Sequence, residues 1–134
     1  MKEKIHGGKL ALSLLIFIVG GTLISFAVAY ILLLLLQIPF IRGVLSFMTN
    51  GDGIHVGLAS TIIATIICYG ITAKINENTE RTHLLSIMIF GILFLILHVF
   101  SLILNIIYGN AIFMNIVGII MGIGCIVHGS SFKK

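Results

Sequence analysis

Residues 84–107 contain no Asp, Glu, Lys or Arg, yet they carry His98, Ser101 and Asn105. At about 1.5 Å per residue, a helix over this stretch covers the ~30 Å of hydrocarbon in a bilayer. Steps of three and four back from Asn105 give Ser101, His98, Phe94 and Gly91, a single line on one helical face. Hydrocarbon offers no hydrogen-bond partner to an imidazole or an amide. The stripe His98, Ser101, Asn105 is therefore expected to turn inward, against other helices.

Three further apolar segments are available to surround it, at residues 10–36, 54–73 and 111–127. Only 9% of the chain is charged and 59% is hydrophobic, where a water-soluble domain shows roughly 25% charged residues. The expected fold is an all-α integral membrane protein. Its four transmembrane helices form an antiparallel bundle, one domain over residues 1–134. The first segment has 27 residues without a formal charge, about 40 Å as a helix, so it must tilt, kink or protrude. Gly20-Gly21 is the natural place to bend. Ala27-Val28-Ala29 has the form of a signal-peptidase site, but the apolar run continues to Leu36, which favours a retained span.

Pro39 ends the first span. Phe40, Ile41, Val44, Leu45 and Met48 then fall opposite Arg42, Ser46 and Thr49, the pattern of a short interfacial helix over residues 39–49. Asn50-Gly51-Asp52-Gly53 is a turn, and Asp52 can cap the helix that follows. Asp52 and His55, one helical turn apart, make a candidate polar site at the outer face. Residues 74–83 form the most polar internal stretch, with Lys74, Glu77, Glu80 and Arg81, and a helix is expected to start near Thr79. Tyr108-Gly109-Asn110 turns the chain again.

Charge gives the orientation. Lys2, Lys4, Lys9, Lys74, Arg81, Lys133 and Lys134 share one side of such a topology, and Arg42 alone takes the other. The positive-inside bias places both termini in the cytoplasm, in a cell (inner) membrane.

Lipid tails are as apolar as leucine, so helices associate through close packing and polar contacts. The fourth span carries the clearest seam: Ala111, Asn115, Gly118, Gly122, Cys125 and Gly129, alternating steps of four and three. The first span offers Gly21, Ser25 and Ala29, and the second Gly57, Thr61, Ala64, Cys68 and Thr72.

All four acids, Glu3, Asp52, Glu77 and Glu80, lie outside the four spans. That disfavours proton-coupled exchange through a membrane-embedded carboxylate. Ser101 and His98 lack the surrounding residues that a hydrolytic site with an oxyanion hole needs, so no catalysis is expected. The pI near 9.3 comes from charges at segment ends, without the basic stripe and aromatics of nucleic-acid binding. Cys68 and Cys125 form no C-x-x-C pair, and Cys125 with His128 supplies too few ligands for a metal, so no cofactor is expected. The reading is a non-catalytic membrane protein that binds the lipid bilayer and a membrane-protein partner or further copies of itself. It would act as an accessory subunit or a self-protection (immunity-type) protein. The alternatives are a small oligomeric transporter or channel using the third span's polar stripe, and a haem- or metal-binding redox subunit.

Overall fold

The computed structural model describes residues 4–44 and 54–133, and these contain helices and turns with no strand. The helices are α1 (Gly7–Leu15), α2 (Gly21–Leu35), α3 (Pro39–Val44), α4 (Ile54–Ile75), α5 (Glu80–Ile107) and α6 (Phe113–Gly129). A π-helical turn, Ile16–Gly20, joins α1 to α2, and a 3-10 turn, Ser130–Lys133, extends α6. Four helical stretches are long and apolar enough to cross a membrane: Gly7–Leu35, Val56–Ile75, Glu80–Ile107 and Phe113–Lys133. Of the interfacial helix expected over 39–49, α3 covers the first six residues; the remainder, with the turn at Asn50 and Asp52, lies outside the described residues.

The chain divides into two compact units, residues 16–70 and residues 1–15 with 71–134. In the first, α2 and α4 meet along small side chains. A Cβ added to Gly21 would lie 3.7 Å from Cys68 Sγ. Ser25 Oγ donates to Ser60 Oγ at 3.4 Å, and Leu36 and Val56 close the layer with Ala29, Leu32 and Ala59. A π turn over Ile16–Gly20 interrupts the long first helix, and it takes in Gly20 of the expected Gly20-Gly21 bend. A π turn leaves a main-chain carbonyl without its usual partner. The Cys68 thiol donates to that of Ile16 at 3.5 Å.

In the second unit α5 and α6 form a hairpin. Gly109 takes φ +70°, a left-handed conformation suited to glycine. Asn110 N donates to Asn105 O at 2.8 Å and Gly109 N to Ile106 O at 3.3 Å, so α5 ends in a Schellman motif. The helices then pack through glycine. A Cβ on Gly91 would stand 2.7 Å from Cys125 Cβ and 2.9 Å from Gly122 O. One on Gly122 would meet Gly91 O and Leu95 Cβ at 3.1 Å, and one on Gly129 would collide with Met88 N.

Polarity is inverted relative to a soluble fold. Among the described residues the largest fully buried side chains are Thr72, Thr82, Cys68, Ser13, Ser60 and Ser86. Large apolar side chains stand outside instead: Phe26 is 71% exposed, Phe100 61% and Ile120 63%. Hydroxyls bond within their own helices, Thr22 Oγ1 to Ile18 O and Thr65 Oγ1 to Thr61 O, which removes the cost of placing them away from water.

Because Gly122 has no room for a side chain and Gly124 has open space around it, Gly122→Leu is expected to lower stability in detergent by about 2 kcal/mol or more. Gly124→Leu should stay within about 0.5 kcal/mol of wild type. Thermal melts followed by circular dichroism measure both; equal tolerance would refute the close approach.

Candidate functional site

The stripe on α5 and the seam on α6 face one another. Asn105 Nδ2 donates to Asn115 Oδ1 at 2.7 Å next to the turn, with Asn115 buried. Further along, the His98 ring rests on Gly118, where any Cβ would overlap it, and it lies 4.3 Å from the Phe94 ring. Gly122 and Cys125 then meet Gly91 and Leu95. Ser101 is half-buried on the same helix. His98 Nδ1 is the buried side-chain nitrogen or oxygen that has no hydrogen-bond partner among the described residues. Asp52 lies outside the described residues, and His55 falls in the first turn of α4.

A second polar cluster, absent from the sequence reading, occupies the other end of this unit. Its centre is Asn76, just beyond the C-terminus of α4 and 2% exposed. Asn76 Nδ2 donates to Ser13 Oγ of α1 at 2.8 Å and to Thr72 O at 2.7 Å, while Asn76 Oδ1 accepts from Thr79 Oγ1 at 3.1 Å. Both amide hydrogens and the carbonyl oxygen are thus used, so the side chain is buried without an unmet partner. Thr79 precedes α5 with φ −138° and ψ 55°, and its hydroxyl serves Asn76 in place of capping its own helix. Thr72 Oγ1 and His83 Nε2 lie 3.0 Å apart, and Ser86 Oγ donates to His83 O at 2.6 Å. Glu80 and His128 are the ionisable groups within electrostatic reach of His83.

The signal for this cluster was present in the spacing. Thr72, Asn76, Thr79, His83 and Ser86 advance by four, three, four and three, and the buried face of α5 runs from His83 through Ile87 to Gly91, where the stripe begins. The polarity of residues 74–83 reads as an exposed loop because Lys74 and Glu77 share it; these two do form an exposed ion pair at 3.2 Å, the kind worth little to stability. Among the described residues no three of His, Cys, Asp and Glu gather as a metal-binding group.

The arrangement is one of mutual satisfaction: hydroxyls, amides and an imidazole bond to each other and to main-chain carbonyls across α1, α4 and α5. No protein-family model, curated protein or solved structure matches the chain. The class that the fold defines is an all-helical chain with four helices able to span a membrane.

Asn76→Ala strands buried partners on two elements and is expected to cost about 2 kcal/mol. Asn78→Ala, at an exposed position two residues away, should cost less than about 0.5 kcal/mol. Chemical denaturation in mixed micelles discriminates the two, and similar losses would remove Asn76 from its central role.

Proposed function

We propose that this chain is a polytopic protein of the cell (inner) membrane. Its four spans pack as an antiparallel bundle with both termini cytoplasmic. It acts without catalysis, by binding other membrane components as an accessory subunit or self-protection protein. The observation that carries this reading is the inverted polarity. The polar side chains of Ser13, Thr72, Asn76 and Thr82 are buried, while Phe26, Phe100 and Ile120 face outward. A surface of that kind is at low free energy only in hydrocarbon or against other apolar helices. The binding role is supported by what the interior lacks. Among the described residues no carboxylate is buried, and the amide of Asn76 is committed to its neighbours. Gly118 and Gly122 leave no side-chain volume between α5 and α6.

One observation favours a second reading, a small transporter: His98 Nδ1 is buried without a partner, and intramembrane ionisable groups mark pathways by default. Reconstitution separates the two. Vesicles holding only this protein are expected to show no more proton or monovalent-cation flux than empty vesicles, while the protein in mild detergent extracts of its native membrane migrates as a larger assembly. Flux above background that His98→Leu abolishes at unchanged melting temperature would establish the transporter and end the binding reading.

Orientation is tested separately. In a Cys68→Ala, Cys125→Ala background, Asn110→Cys is expected to react with an impermeant thiol reagent on intact cells. Asn78→Cys should react only after permeabilisation. The reverse pattern would invert the topology.

A further inference from the structure

We propose that the end of the unit where residues 4–6 and 130–133 meet the start of α5 is a binding surface for anionic phospholipid headgroups. The inference rests on the membrane reading above. His6 N donates to Thr82 Oγ1 at 3.0 Å, which fixes the N-terminal lead two residues after Lys4. Arg81 Nε donates to Phe132 O at 2.8 Å, and its guanidinium lies 5.7 Å from the centre of the Phe132 ring, which fixes the C-terminal turn one residue before Lys133. The two anchors are adjacent residues in the first turn of α5. Lys4, Lys9, Lys74, Arg81 and Lys133 therefore belong to one compact unit, against the carboxylates of Glu77 and Glu80. Lys4, Lys74 and Lys133 are exposed. The remaining cation among the described residues, Arg42, lies in the other unit and donates to Leu36 O at 3.0 Å.

Among the described residues of this unit, five cations against two carboxylates attract any anion; the neighbouring surface selects a lipid. Leu12 and Leu15 on α1 are 44% and 56% exposed, and Val127 on α6 is 67% exposed. An apolar wall thus begins within a turn or two of the cations. Long Lys and Arg stems lie along such a wall with the charge at the headgroup level. A phospholipid supplies both halves, an acyl chain for the wall and a phosphate for the ammonium and guanidinium groups. A soluble phosphate supplies one.

The test uses the full chain in non-ionic detergent micelles doped with 30 mol% phosphatidylglycerol or phosphatidylcholine (about one lipid in three, enough to approximate an anionic leaflet). Melting is read by a thiol-reactive dye in a Cys125→Ala background, since Cys125 is only half-buried and Cys68 is fully buried until the fold opens. Phosphatidylglycerol is expected to raise the midpoint by several degrees over phosphatidylcholine, and about 0.5 M NaCl should remove the difference by screening. Each Lys or Arg near an anionic surface is worth about fivefold in partitioning. Lys4→Gln with Lys9→Gln and Lys133→Gln should therefore abolish the shift, and Arg42→Gln should keep it. If the triple variant does not fold, the salt dependence of the wild type decides. An equal midpoint in the two lipids, a shift that survives salt, one that Arg42→Gln removes, or one that millimolar inorganic phosphate reproduces would each overturn the proposal. Failure of the protein to float with vesicles of either lipid would instead refute the membrane reading itself.

Discussion

The contact on which the structure depends is the approach of α5 to α6 at Gly91 and Gly122. Each glycine lies against main-chain atoms of the opposing helix, and a single methyl group at either place would push the helices apart. Once the backbones are that close, the rest of the hairpin follows by geometry. Gly129 fits against Leu84 and Met88, Gly118 receives the His98 ring, and Asn105 meets Asn115 beside the Schellman turn. Contact of this kind, van der Waals packing through small residues, is how helices associate where apolar burial gives them no reason to. The same packing makes the α2–α4 contact through Gly21, Ser25, Ser60 and Cys68.

Close packing alone does not choose a register, and the polar groups do. A hydroxyl or amide displaced by one position along a helix loses its partner and is left buried and unsatisfied. Asn76 binds Ser13, Thr72 and Thr79 at once, so α1, the end of α4 and the start of α5 are fixed to one another by a single side chain. The Cys68 thiol works on a smaller scale by occupying the Ile16 carbonyl at the π turn. Each of these bonds is worth only about 1 kcal/mol net. Their effect is to make alternatives costly.

The four helices were readable from the sequence because charge-free runs of this length have few other solutions, and the observed ends differ by a few residues. The first helix begins at Gly7, ahead of the apolar run, while α5 begins at Glu80, beside the start expected near Thr79. The steps of three and four that link Asn105 to Gly91 and Asn115 to Gly129 marked each face as one that packs; that the two faces meet each other is what the structure adds. Two things were hidden. At the π turn the Ile16 carbonyl accepts from a thiol 52 residues away in the chain, a tertiary partner that no local pattern announces. The Asn76 cluster was masked by Lys74 and Glu77. Their charges make residues 74–83 read as solvent-exposed, although Asn76, Thr79, Thr82 and His83 are buried. Periodicity carried the information there, and composition obscured it.

The central claim is that the polar stripe of α5 lies on the small-residue seam of α6. Oxidative cross-linking of cysteine pairs in native membranes tests it most directly, in a background of Cys68→Ala and Cys125→Ala. Asn105→Cys with Asn115→Cys replaces a pair in direct hydrogen-bond contact. Phe100→Cys with Ile120→Cys places both thiols on exposed faces of the same two helices. The account predicts rapid, near-complete disulfide formation within one chain for the first pair and none for the second. Cross-linking of the second pair in preference to the first would show the helices rotated away from this interface, and the packing described here would be wrong.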